Sequence, residues 1–204
     1  MVEPNYLDNL KAAYDADVDR RGAMDLASWR TDILDDFLDT FPERQTMLEL
    51  GCGTGQMARY VADRGLTVTA IDLSPGNVEA TRQRGIDAEV ADFGNLPFES
   101  GSFDGAYALM SLIHVPAERL SDVFTEIRRV LTKGASLLMV VWGGERHEGQ
   151  FASEWLDPPR FFSIYPDDEV LKLDFRGFTI TDFATGEPPD TGDLHVQVLT
   201  LTAI

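Results

Sequence analysis

The stretch LELGCGTGQMA, residues 48–58, decides how the rest of the chain is read. An apolar run leads into glycines at positions 51, 53 and 55, and helical spacing then resumes with Ala58, Val61 and Ala62 until Gly65 stops it. A strand that runs into glycines and then a helix places backbone N–H groups at the carboxyl edge of a parallel sheet, where doubly wound folds bind ligands. A P-loop would need GxxxxGK[ST], and no Lys and hydroxyl pair follows these glycines. A dinucleotide fingerprint would need GxGxxG, but the third position is Gln56, so the spacing is GxGxG. Glu49 immediately before the loop would oppose a pyrophosphate at the helix N-terminus and suits a ligand with cationic groups.

Outward from this loop the chain alternates strand and helix. The first strand spans residues 46 to 50, and LTVTAID ends a second at Asp72. Ser74-Pro75 predicts an N-cap with proline at the first helical position, opening a helix to about Arg84 that Gly85 ends. IDAEVAD is the third strand and FDGAYALM the fourth. Pro116 opens a helix with Leu120, Val123, Phe124, Ile127, Val130 and Leu131 on one face. ASLLMVVW is a continuous apolar run, as befits a strand covered on both faces.

Residues 143 to 165 break this rhythm with glycines, prolines and aromatics and predict a long irregular insertion. A short helix at about Pro166 to Phe175, the strand GFTITDF, a Pro/Gly-rich loop and the strand LHVQVLTLT follow. The last two strands have no helix between them and are expected to be antiparallel neighbours. Upstream, Leu26, Trp29, Ile33, Phe37 and Phe41 form one apolar helical stripe, so residues 1–42 predict an N-terminal helical cap. With 204 residues and 44% hydrophobic content, one domain with appendages is expected.

Acidic residues outnumber basic ones 35 to 17, a net charge of −18 that would repel a phosphate backbone or an anionic membrane. Neither nucleic acid nor membrane is an expected partner. The single cysteine, Cys52, rules out an internal disulfide and a CxxC metal pair, and no metal site is expected. MVEPNYLDNL lacks the basic start and apolar core of a signal peptide, and no apolar run approaches the ~20 residues that span a bilayer. A soluble, cytoplasmic protein, monomer or homodimer, is the expectation.

LELGCGTG resembles motif I of class I S-adenosylmethionine (SAM)-dependent methyltransferases, and the similarity runs from about residue 46 to 142. Asp72, followed by Leu73, matches the acidic residue that in this family binds the ribose hydroxyls. Asp92 and Phe93 match the position that holds and covers the adenine. IRRVLTKGASLLMVVW resembles the family's turn into the fifth strand, departing from it at Lys133 and Ala135. The resemblance implies an α/β, Rossmann-like fold with a seven-stranded sheet in the order 3-2-1-4-5-7-6, strand seven antiparallel. It implies SAM as cofactor, S-adenosylhomocysteine as product, and a small-molecule acceptor. Donor-binding candidates are Glu49, Gly51, Cys52, Gly53, Gly55, Asp72, Leu73, Asp92 and Phe93, with Tyr14 as a residue that closes over the SAM carboxylate.

Because the donor is already activated at its sulfonium, such an enzyme chiefly aligns the acceptor, and a base is needed only where the acceptor holds its proton. His114 follows the fourth strand and is the candidate base, with a structural histidine as the plainer alternative. His147 and His195 suit a solvated loop and an alternating polar face. DPPR at 157 to 160 is similar to the [DN]PPY motif of amino-group methyltransferases but follows the fifth strand rather than the fourth, so it is a proline-rich loop. Tyr6, Tyr14, Trp29, Arg146, Trp155, Arg160, Phe161, Phe162 and Tyr165 could line the acceptor pocket, though each aromatic could equally be core. A SAM-binding protein of the same fold without transfer activity is the alternative function, and a nicotinamide-dependent oxidoreductase is disfavoured by the missing third glycine.

Overall fold

The computed structural model describes residues 5–42, 44–188 and 192–204. The first four residues of the expected cap, Glu43, and residues 189–191 of the Pro/Gly-rich loop lie outside the described residues. The helices are α1 (Tyr6–Ala16), α2 (Val18–Gly22), α3 (Ser28–Leu38), α4 (Gln56–Ala62), α5 (Pro75–Gln83), α6 (Ala117–Val130) and α7 (Asp167–Val170). The strands are β1 (Thr46–Leu50), β2 (Thr67–Asp72), β3 (Asp87–Val90), β4 (Phe103–Leu109), β5 (Leu131–Gly143), β6 (His147–Gln150), β7 (Phe161–Ile164), β8 (Phe178–Gly186) and β9 (His195–Ala203).

One sheet runs β3-β2-β1-β4-β5-β9-β8. Its first five strands are parallel, and β9 lies antiparallel between β5 and β8. This is the Rossmann-like order expected from the sequence, once β6 and β7 are set aside. The chain leaves β1 toward β2 and β3, then returns to the other side of β1 to form β4. That reversal opens a crevice at the carboxyl ends of β1 and β4.

The core alternates with the pleat. Leu137, Met139 and Val141 of β5 join the apolar face of α6 on one side of the sheet. Leu138 and Val140 join Leu34 of α3, Met57 of α4 and Val78 of α5 on the other. Each such side chain contributes roughly 1.5 to 3 kcal/mol by leaving water, which explains why β5 is continuously apolar from Leu137 to Trp142.

Two boundaries and one irregularity differ from expectation. The insertion is not irregular throughout: β6 and β7 form an antiparallel hairpin that pairs His147 with Ile164 and Gln150 with Phe161. The loop of residues 151–160 is too long to carry a tight-turn signal, so the pairing is not legible locally. The helix expected to reach Phe175 is confined to α7, because three-residue turn bonds from Lys172 N to Glu169 O and from Leu173 N to Val170 O take over. The stripe from Leu26 to Phe41 is helical only within α3, and Leu26 itself is exposed.

Candidate functional site

At the crevice, a cleft is walled by the glycine loop, the ends of β2, β3 and β4, and helices α1 to α3. A second pocket adjoins it and shares Arg21, Arg30, Gly51, Gly53 and Leu109 with it.

The loop is pinned before any ligand arrives. Gly51 N and Cys52 N both donate to Ile71 O at 2.9 Å, which ties the end of β1 to β2. Gly53 N donates to Asp72 Oδ2 at 2.8 Å, and Asp72 Oδ1 accepts from Ser74 N and Asn77 Nδ2 at 2.9 and 3.3 Å. Three of roughly four lone-pair sites on the Asp72 carboxylate are therefore in use. Holding both hydroxyls of a diol there requires one of these donors to yield. Burial raises the pKa of Asp72 against the hydrogen bonds that lower it.

The glycines divide their work. Gly55, at φ 78, caps α4 in the left-handed region, and a Cβ there would sit 2.7 Å from Thr81 Cα. Its task is the close packing of α4 and α5, and it lines neither pocket. Gly53, at φ 52, faces open space, with Arg21 the sole neighbour within 4 Å of an added Cβ. Gly51 is hemmed by Ser111 and by Phe93, whose ring lies 3.4 Å from the added carbon.

Leu73, Asp92 and Phe93 line the cleft beyond Asp72. The Asp92 carboxylate accepts from Gly94 N at 2.7 Å and pairs with Arg119 at 2.9 Å. Arg119 also donates to the Tyr6 hydroxyl, so α6 and α1 both hold this corner. Glu49 and Cys52 line the second pocket. Glu49 is fully buried, its pKa is driven well up by desolvation, and its Oε2 has no hydrogen-bond partner among the described residues. The Cys52 thiol hydrogen-bonds Thr81 and is held protonated by burial. Met110 closes the floor at φ 59, a backbone conformation rare for a non-glycine residue and concentrated at functional sites.

His114 lines the cleft yet is 5% exposed and has both ring nitrogens engaged. Nδ1 lies 2.6 Å from Phe161 O, an acceptor, so the proton sits on Nδ1. Nε2 therefore accepts from the Tyr14 hydroxyl, also at 2.6 Å. Burial pushes the imidazole down to about 3, so it is neutral near pH 7. Arg160 Nη1 donates to the Tyr14 oxygen at 3.2 Å, and Glu154 holds Arg160 through both carboxylate oxygens. A histidine after β4, a tyrosine of α1 and an arginine of the insertion thus meet in one chain of hydrogen bonds. Burial raises the pKa of Tyr14, which keeps it a donor.

The remaining lid candidates separate. Tyr6 lines the cleft and Trp29 the second pocket. Phe161, Phe162 and Tyr165 are buried, whereas Trp155 is exposed beneath Arg20, and Arg146 pairs with Glu148 and Glu169 at the surface. His195 bonds Asp167 at 2.7 Å, and His147 stacks on Phe151. Two residues that periodicity does not reveal also reach the cleft, Arg21 of α2 and Arg30 of α3. Their one sequence signal is positive charge within an acidic N-terminal segment. Among the described residues no group of three or more His, Cys, Asp or Glu could hold a metal, and no helix is long and apolar enough to cross a membrane.

A doubly wound sheet with a cleft at its switch point, a glycine loop beneath and acidic residues at the ends of β2 and beyond β3 defines an α/β protein that holds a small ligand across the carboxyl edge. Residues 48–139, a little under half of the chain, match the family described as "Methyltransferase domain". It is 30% identical over 123 residues to tRNA (carboxymethyluridine(34)-5-O)-methyltransferase alkbh8 of Xenopus tropicalis, covering 59% of this chain and 19% of that protein. It is 35% identical over 102 residues to O-methyltransferase resE of Aspergillus sclerotiorum, covering 46% and 38%. The chain therefore spans well under half the length of these curated relatives.

Among solved structures, it is similar to the 1,6-didemethyltoxoflavin-N1-methyltransferase of Burkholderia thailandensis with bound 1,6-didemethyltoxoflavin and S-adenosylhomocysteine. The TM-score is 0.79 at 21% identity, over 100% of this chain and 91% of that one. The [4+2]-cyclase SpnF is also similar, with TM-score 0.77 at 21% identity over 100% and 97%. At that identity both report the fold.

Proposed function

We propose that this chain transfers a methyl group from SAM to a small-molecule acceptor, with the cleft at the β1–β4 crevice as its donor site. The observation that carries the reading is the donor-set chemistry of that cleft. Gly53 offers a backbone open to a ligand, Arg21 stands beside it to take a carboxylate, and buried Glu49, in the adjoining pocket, has an Oε2 without a partner among the described residues. Asp72 and Leu73 take the ribose, and Asp92 and Phe93 the adenine. Gly51, Cys52 and Gly55 shape the loop.

SAM, when bound, supplies a methyl group on a positively charged sulfur. The chain has to bind and orient the acceptor and keep water out, and good orientation alone can be worth roughly 7 to 11 kcal/mol. Tyr14 and His114 line the far wall, with Arg160 and Phe161 of the insertion bonded behind them. His114 acts as a positioning residue: with Nδ1 on a carbonyl and Nε2 on Tyr14, it has no free nitrogen for a substrate proton, and its low basicity suits it to orienting the tyrosine.

The acidic surface favours a small molecule over RNA, although the similar Xenopus protein is named for tRNA methylation. Cytoplasmic residence and a single domain, with residues 1–42 as cap and 143–165 as lid, complete the proposal. Calorimetry with S-adenosylhomocysteine and NAD tests the donor site: tight binding of the first is expected, and binding of NAD alone would overturn it. Labelled SAM incubated with a metabolite extract and with bulk RNA then tests transfer. Label entering small molecules with the wild type but not with Asp72→Ala is the expected result. Label in neither pool would favour the second reading, a SAM-binding protein of this fold without transfer activity, for which the cyclase among the similar structures is the motive.

A further inference from the structure

Among the described residues, Arg30 is a cation without a counter-ion. It lines both the donor cleft and the second pocket, and its Nε is buried with no hydrogen-bond partner. No carboxylate acts on it; burial and the neighbouring Arg21 guanidinium both push its pKa down. A desolvated charge with no partner is costly, and a like charge beside it adds to the cost. In the reading above SAM brings a single carboxylate, and Arg21, the neighbour of Gly53, receives it. Arg30 is left over.

Its surroundings say what kind of molecule would meet it. The guanidinium carbon lies 5.1 Å from the centre of the Trp29 ring. Trp29 in turn packs 6.2 Å from Trp142, the next-to-last residue of β5, one strand beyond β4 on the side away from β2 and β3. The nucleoside-facing residues Asp72 and Asp92 lie on the opposite side of the glycine loop. A cation and an indole pair side by side match a flat ring that bears an anionic oxygen group.

We propose that Arg30, with Trp29 backed by Trp142, forms the acceptor subsite, and that the methyl acceptor is a planar small molecule carrying a carboxylate. This rests on the donor-site reading. It assigns Arg21 to the donor and Arg30 to the acceptor, so the two arginines have separable effects.

The test uses the full chain saturated with S-adenosylhomocysteine and titrated calorimetrically with benzoate and with benzamide, its neutral counterpart. Benzoate is expected to bind at least about tenfold more tightly, the scale of one hydrogen-bonded charge pair. Arg30→Gln should abolish that preference and leave S-adenosylhomocysteine affinity within about twofold, whereas Arg21→Gln should chiefly weaken S-adenosylhomocysteine. Arg30→Lys, which keeps the charge but not the fork, should retain part of the preference. Equal binding of the two probes, no binding of benzoate, or a preference that survives Arg30→Gln would overturn the subsite. So would a loss of S-adenosylhomocysteine affinity in Arg30→Gln that matches the loss in Arg21→Gln. Failure of the wild type to bind S-adenosylhomocysteine would instead overturn the donor reading. The benzoate comparison on the chain alone would then still decide whether Arg30 is an anion site.

Discussion

The glycine-loop wall of the cleft and the wall opposite it are held in different ways. The first is made from neighbours in sequence: Gly51 and Cys52 bond Ile71 O, and Asp72 gathers Gly53, Ser74 and Asn77. The second is made from strangers, with Tyr14, His114 and Arg160 joined across separations of 100 and 146 residues. A local wall is shaped by backbone conformation and survives as a motif. A wall of long-range side-chain bonds depends on every segment docking first. Under the proposed function, the first wall is the one a methyl donor would use, and the second is particular to this chain's own long-range contacts.

The sharpest way to break the first wall is Gly55→Ala. The added Cβ meets Thr81 backbone while the residue is held at positive φ. Strain and overpacking together predict a loss of roughly 2 to 5 kcal/mol in chemical denaturation. An unchanged denaturation midpoint would mean that the loop relaxes freely.

The corresponding break in the second wall is Arg160→Ala, which strands Glu154, whose side chain is 3% exposed. Removing one member of a buried pair predicts about 3 kcal/mol lost. At equal folded fraction, methyl transfer should fall while S-adenosylhomocysteine affinity holds. Equal damage to both would erase the distinction between the walls.

Asp72→Asn keeps the shape of the carboxylate and removes its charge. It should weaken S-adenosylhomocysteine by about 10- to 100-fold in calorimetry, as expected for hydrogen bonds to a charged group.

The gentlest probe is pH. The pKa of His114 lies near 3 in the folded chain, against 6.5 for a free imidazole, so on acidification the unfolded state takes up the proton first. The stability associated with a neutral His114 is intact above 6.5 and declines as pH falls toward about 3. Buried Asp72 and Glu49 have raised pKa values and oppose this trend. The comparison is therefore between wild type and His114→Gln, which can still donate to Phe161 O and accept from Tyr14. The variant should lose less stability across that window, and parallel pH profiles would show that His114 titrates as it does when unfolded.

What was legible in the sequence follows the same division. Positive-φ glycines, the Ser74 cap and the apolar run of β5 are local signals, and the sheet order came with the family resemblance. Ser74 does cap α5, accepting from Asn77 N at 3.0 Å, and Gly65 and Gly85 do stop their helices at φ 87 and 77. The hairpin of β6 and β7 was not legible because its strands are short and its connecting loop long. Arg21 and Arg30 were not legible because their importance lies in what is missing around them, and a list of residues does not show a missing partner.

By itself, then, the sequence determined the doubly wound scaffold and the position of the donor loop, since backbone handedness and the alternation of apolar side chains are written residue by residue. The tertiary structure alone decided that His114 is a neutral, fully bonded imidazole, that Gly55 serves packing while Gly53 faces the cleft, and that Arg30, without a counter-ion among the described residues, stands over Trp29, which packs against Trp142. The physical reason is that protonation, desolvation and charge balance are properties of an environment. Here that environment is assembled from α1 to α3, the end of β4 and the insertion after β5, segments that meet only in the folded chain.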